Sequence, residues 1–216
     1  MTGTIIQGLI ALNSPNYVWQ QWHGTLLTIA VISFSVLFNT FLATRLAWIE
    51  VGLLVLHIVG LFAIVIPLWV TAPHGRAGEV LLTFSNNGGW STTGLSSMIG
   101  LSAPIGVFIG YDCSVHMSEE LRDASRVMPR AIMWSCAINF SMAFFMGITL
   151  IFSVGDIENI LSTPTYQPFI QLFYNATQSY PGTNTMVAIV VLLLAGCTIS
   201  EVATSSRQIW SFSRDG

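Results

Sequence analysis

The sequence predicts an all-α integral membrane protein with about five transmembrane helices, and three observations carry that prediction. The first is composition. Hydrophobic residues make up 53% of the 216 residues and charged residues only 8%, and mean hydropathy is +0.69, whereas soluble domains carry roughly 25% charged residues. There is no lysine, and seven arginines and ten acids are too few to cover a water-facing surface. The second is a series of apolar runs near the roughly 20 residues that a bilayer demands. The third is that the arginines gather in alternate connecting segments. The runs are apolar all round, which excludes barrel strands with their period of two. A net charge of −3 without basic clusters excludes a nucleic-acid surface. No repeat or low-complexity segment divides the chain, so residues 1–216 read as a single transmembrane domain.

The elements follow in order. Span one, 24–43, has no charged residue, and span two, 51–72, carries one histidine, His57. Span three, 94–117, is weak and is punctuated by Pro104, Gly106, Gly110 and Asp112. Span four, 131–154, is clean, and span five, 186–206, starts apolar and turns polar at Glu201. Arg45, the trio Arg122, Arg126 and Arg130, and the pair Arg207 and Arg214 fall on one side of this arrangement, and only Arg76 on the other. Arginine-rich connections face the cytoplasm, so segments 73–93 and 155–185 are expected outside. Segment 155–185 contains the sequon Asn175-Ala-Thr177, a glycosylation candidate on the expected outer side. The N-terminus lacks the order of a signal peptide. Cys113, Cys136 and Cys197 lie in apolar runs and read as packing residues rather than disulfide partners.

Span three raises the functional question. Proline removes a backbone donor and glycine tolerates unwound geometry. Freed backbone groups in lipid cost several kcal/mol unless they are buried in protein or line a wet cavity. A kinked helix and a discontinuous helix around an internal site both fit the glycines and proline. Asp112 favours the second, because a mid-membrane carboxylate costs on the order of 2.5–3.5 kcal/mol and marks function by default. If α-helix resumes at Asp112, His116 and Glu119 follow on its face, and its N-terminal end suits a substrate carboxylate. Phe108 and Tyr111 flank the break, where they can stack on a substrate cation or simply pack. Glu119 and Glu120 read as interface residues paired with arginines in a short amphipathic cytoplasmic segment ending at Pro129. His57 reads as a packing residue or a proton relay. Glu201 with Thr204, Ser205 and Ser206 makes the inner half of span five polar, to bond neighbouring helices or to line a pathway. No cofactor and no metal site is expected.

Several stretches together resemble one family. "FIGYDCSVHMSEELRDASRVMPRAI" is similar to the sixth helix and following loop of the amino acid–polyamine–organocation permeases, with a glycine, an acid, paired glutamates and a later "PRA". "SSRQIWSFSRDG" looks like the end of their eighth helix. "IQGLIALNSPNYVWQQWHGTLL" and "PFIQLFYNATQS" narrow the resemblance to fungal choline and GABA permease-like members. It implies a twelve-helix fold with two inverted repeats of five helices, of which this chain would hold the end of the third helix to the eighth, with 94–117 as a discontinuous helix. By position, Gly110 and Asp112 match the unwound acidic segment, Phe108 the nearby aromatic gate, and His57 a place where bacterial relatives carry a lysine implicated in proton coupling. Glu201 matches no family position. The function implied is secondary active transport of an amino acid, GABA, choline or a related organic cation, proton-driven, in a plasma or vacuolar membrane. The implied partners are the small-molecule substrate, the bilayer and protons. Two alternatives stand beside it. One is a truncated, non-transporting membrane fragment. The other is an intramembrane aspartyl protease built on Tyr111-Asp112 and Gly155-Asp156, against which Ser153 replaces the first glycine of the second motif and Asp156 lies at a different depth from Asp112.

Overall fold

A computed structural model of the chain describes residues 1–84, 86, 88–106 and 109–215, without the side chains of Ala103, Pro104, Tyr111, Asp112, Met117, Glu119, Glu120 and Asp215. In chain order it contains α1 (Thr2–Asn13), α2 (Gln21–Phe41), a 3-10 turn (Ala43–Arg45) and α3 (Leu46–Thr71). Then come α4 (Ala77–Leu82), α5 (Thr93–Gly100), α6 (Ser102–Ile105) and a 3-10 segment (Tyr111–Glu120). The chain continues through α7 (Ala124–Ser153), α8 (Ile157–Leu161), α9 (Pro168–Thr177) and α10 (Tyr180–Asp215). Among the described residues there is no strand. Four helices are long and apolar enough to cross a membrane: α2, α3 with its preceding turn, α7 and α10. Helix is the form such segments must take, because in lipid each backbone donor and acceptor has to be satisfied within the segment.

Two compact units divide the chain, Met1–His74 with Ser153–Gly216, and Gly75–Phe152. In the first, α10 is the central helix and packs against α1, α2, α3 and α9. Its Thr183, Val187 and Ile199 are buried, as are Ile64 and Leu68 of α3 and Ile170 and Phe173 of α9. The outward faces are apolar as well. Phe34 and Leu37 of α2 and Val55 and Phe62 of α3 are exposed, a surface that suits lipid and would be an aggregation liability in water. Polar residues bind these helices together. Asn39 of α2 donates to Ile199 O of α10 at 2.9 Å and to its own helix at Ser35 O, also at 2.9 Å. Asn13 of α1 and Asn184 of α10 exchange amide bonds of 2.9 and 2.8 Å. The short helices have local reasons to form. The Asp156 carboxylate accepts from the N–H groups of Glu158 and Asn159 and caps α8. Pro168 opens α9, where its missing N–H costs nothing.

In the second unit α5 and α6 lie against each other. Thr92 caps α5 by accepting from Leu95 N at 3.1 Å. Helix α7 exposes Met133, Trp134, Phe140, Phe144 and Phe145 along its length.

The boundaries differ from the hydropathy reading for physical reasons. Helix α7 starts at Ala124 rather than 131, so Arg126, Pro129 and Arg130 belong to its first turns and not to a separate segment. Asp123, with φ 54°, turns the chain into it; aspartate is among the few side chains that tolerate this conformation. Helix α10 runs past 206 to Asp215, since a polar helix needs no apolar run to continue once it has left lipid. Span three is not one helix. Residues 94–117 divide into α5, α6 and part of the 3-10 segment, the discontinuity that the glycines and Asp112 led us to expect.

Candidate functional site

The interruption in the second unit is built step by step. Helix α5 ends at Gly100, where Leu101 N reaches back to Ser97 O and Met98 O at 3.2 Å. Ser102 donates to Ile99 O at 2.6 Å, and α6 ends at Ile105. Gly110 has φ 91° and ψ 4°, in the left-handed region where a side chain would be strained. Its carbonyl accepts from Cys113 N at 3.1 Å, and the chain proceeds as a ten-residue 3-10 helix. Runs of that kind beyond three or four residues are uncommon and often mark a hinge or a strained functional segment. Asp112 and Tyr111 lie on this segment with their side chains outside the described residues, and Phe108 lies outside them altogether.

One expectation is corrected here. A 3-10 helix has three residues per turn, so the positions in register with Asp112 are Val115 and Ser118, not His116 and Glu119. The shared face of an α-helix does not exist at this point. The side chains of Glu119 and Glu120 are outside the described set.

The first unit carries the other candidates. On α3, Leu46, Gly60, Ile64 and Leu68 are buried, and His57 falls on the same stripe at a three- or four-residue spacing and is half-buried. His57 therefore looks into the bundle rather than to lipid. A Cβ on Gly60 would come within 2.6 Å of Ile189 of α10, and one on Gly196 of α10 would collide with Leu53. Close helix approach through small residues is the usual device of membrane packing. At the arginine-rich end of this crossing, Ser200 of α10 donates to Glu50 Oε1 of α3. Neither Glu50 nor Ser200 stood out in the sequence, because Glu50 directly precedes the apolar window that defines span two. The signal was there in the spacing: Glu50 and His57 are seven residues apart, so both lie on one α-helical stripe. Two turns separate them by about 10.5 Å of rise, so a proton passing between them would need water.

The remaining candidates fall in distinct surroundings. Thr204 is buried, Ser205 is exposed, and Ser206 donates to Ala203 O at 2.7 Å. Only Thr204 of this group faces the interior of the unit. Glu201 is exposed and accepts from Cys197 Sγ at 3.6 Å; Cys197 is itself exposed, not packed. Asn175 lies in helix α9 rather than in an open loop. Its Nδ2 donates to Asn159 Oδ1 at 2.9 Å and its Oδ1 accepts from Gln171 at 2.8 Å, so the atom that would carry a glycan is already engaged. Asp156, the second acid of the protease reading, serves as the cap of α8. Among the described residues no group of three or more His, Cys, Asp or Glu could hold a metal ion.

Comparison with known proteins identifies the framework that holds these features. The family model for amino acid permease matches residues 1–216. The chain belongs to the amino acid permease family. It is 30% identical over its full length to a protein of Macrophomina phaseolina named as an amino acid/polyamine transporter, covering 48% of that protein. It is 29% identical over 98% of its length to a choline transporter of Saccharomyces cerevisiae, covering 38% of it. Against amino-acid permease 2 of Neurospora crassa the identity is 27% over 93% of the chain and 37% of the relative. The chain thus spans about half the length, or less, of these curated relatives. No solved structure matches it. Family membership and the four apolar helices make this permease-family chain an integral membrane protein.

Proposed function

We propose that this chain acts in a secondary active transporter that moves an amino acid, choline or a related organic amine across a plasma or vacuolar membrane, coupled to protons. The observation that carries the reading is the interruption after Ile105. An apolar segment stops being α-helical, passes through a left-handed Gly110, and places Asp112 two residues later on 3-10 backbone. Irregular backbone at membrane depth is tolerated where it lines a protein cavity, and helices broken in this way build the substrate sites of secondary transporters. The names of the relatives, transporters of amino acids, polyamines and choline, supply the substrate class. Amines of that class call for an anionic partner, and Asp112 is the carboxylate at the break. The half-buried His57 on the inner stripe of α3 supplies a titratable group for coupling.

Asp112→Asn in the complete permease tests the assignment, because it keeps size and hydrogen bonding but removes charge. As counter-charge to a substrate ammonium, Asp112 should be worth roughly 1.5–3 kcal/mol of binding at every pH. As a proton-binding gate, its loss should leave binding near normal while transport falls and the pH profile flattens. Wild-type binding and uptake in Asp112→Asn would sink the assignment. His57→Ala should release uptake from the pH gradient while substrate exchange continues; unchanged pH dependence returns His57 to packing.

A further inference from the structure

The contacts between α3 and α10 follow a register. Gly60 meets Ile189, Leu53 meets Gly196, and Glu50 meets Ser200. As the α3 number falls the α10 number rises, by seven and then by three or four, so the helices run antiparallel along a continuous seam. Two steps of this seam are closed by glycine. The third is closed by a carboxylate and a hydroxyl, the one step whose chemistry depends on pH.

Ser200 has one hydroxyl hydrogen and two acceptors in reach, Glu50 Oε1 and Gly196 O, the latter at 3.2 Å. An ionised Glu50 only accepts, so Ser200 gives its hydrogen across the seam. When Glu50 takes a proton from water, its new O–H can donate to the Ser200 oxygen, and the Ser200 hydrogen turns to Gly196 O within α10. The cross-seam bond then changes from charge-assisted to neutral, and charge-assisted bonds are roughly twice as strong. We propose that Glu50 and Ser200 form a proton-responsive latch between α3 and α10, tight when Glu50 is ionised and loosened when it is protonated. Glu50 is exposed and directly precedes the apolar run 51–72, at the arginine-rich end of the helix where water can reach it. The other charged or titratable groups on the elements packed here are His57 on α3, Arg45 in the preceding 3-10 turn, Tyr180, Cys197, Glu201, Arg207, Arg214 and Asp215 on α10, and Tyr174 on α9. The latch deepens the transport reading, on which its role rests, by giving the carrier a protonatable group, in addition to Asp112 and His57, that bears directly on helix movement.

Spin labels at Trp48→Cys and Ile209→Cys, both on exposed positions (75% and 70%), report the spacing of the two helices once Cys113, Cys136 and Cys197 are replaced by serine. Titration of the full chain in nanodiscs from about pH 7.5 to about pH 3 covers the ordinary glutamate range. The expected result is a distance distribution that lengthens and broadens at low pH. Glu50→Gln, which mimics the protonated acid without changing its size, should give the low-pH distribution throughout. Ser200→Ala should abolish the pH response, and Glu201→Gln should retain it. A wild-type distribution that does not move with pH overturns the latch, as does a full response in Glu50→Gln or its loss in Glu201→Gln alone. The labels read the seam whether or not anything is carried. Failure of the pH response therefore counts against the latch alone, and absent uptake with the response intact counts against the transport reading alone.

Discussion

The two units of this chain are both built from apolar helices and use them differently. In the unit formed by Met1–His74 and Ser153–Gly216, the helices meet through glycines and through amide and hydroxyl bonds: Gly60 and Gly196 between α3 and α10, Asn39 between α2 and α10, Asn13 and Asn184 between α1 and α10. In the unit Gly75–Phe152, Asn139 of the long helix α7 donates to Ser135 Oγ of the same helix. Ser141 donates to Ala137 O of its own helix, and Gly147 has nothing within 4 Å of a built Cβ. The difference teaches that in a membrane protein hydrophobicity says which segments cross, while the small and polar residues say which of them pack. Lipid tails are as apolar as leucine, so apolar side chains do not choose between lipid and a neighbouring helix.

The sharpest way to break this contrast is to add one methyl group to a glycine in each unit. Gly196→Ala forces a Cβ into Leu53 and should destabilise the first unit by about 1–3 kcal/mol, the usual cost of overpacking. Gly147→Ala meets open space and should be neutral or stabilise α7 by up to about 1 kcal/mol through helix propensity. Thermal unfolding in detergent, followed by circular dichroism, should separate the two variants in opposite directions. Equal effects would mean that the seam is not tightly packed.

A smaller effect is expected at a loop helix. Asp156→Ala removes the cap of α8 at a cost of about 0.5–2 kcal/mol, seen as faster hydrogen exchange over 157–161. Uptake by the complete permease should persist in this variant, whereas an aspartyl protease would lose all activity. The smallest effect tests the polar contacts. Asn39→Ala should cost about 0.6 kcal/mol and at most about 1.7 kcal/mol, the measured range for bonds between membrane helices. Ser141→Ala, whose bond is internal to α7, should change nothing measurable.

These same residues explain what could be read in advance. The four long helices were legible because twenty consecutive apolar residues have few other fates. The break in 94–117 was legible because Gly106, Gly110 and Asp112 contradict the run around them. The conformation after the break was not. Nothing in "YDCSVHMSEE" distinguishes a 3-10 from an α-helix, since both satisfy the same local backbone groups, and the face assigned to His116 and Glu119 was lost with that choice. Hydropathy alone did not mark helix α1, because twelve residues are too few for its window, although the buried Gln7 and Gly8 are what fit it to its neighbours. Glu50 escaped because a window that seeks apolar residues stops just short of a charge. Windows find lipid-facing surface, and the residues that join helices are the ones they discard.

Helix α10 has one further consequence, which is a matter of length. Its 36 residues span about 54 Å at 1.5 Å per residue, against a hydrocarbon layer of about 30 Å. Tilt absorbs a small part of that excess, and the rest must project beyond the layer as a rigid stub. This projecting stretch carries Ile209, Trp210 and Phe212, all exposed, with the Arg214 guanidinium 4.8 Å above the Trp210 ring, the pairing of aromatic and cation that settles at headgroup level. A rod pinned at that depth and crossed by α3 around residues 189–200 behaves as a lever. A small rotation about the Gly60–Gly196 crossing reaches the far end as a larger sideways travel, so a change of one bond at the seam can be read as a displacement at the membrane surface.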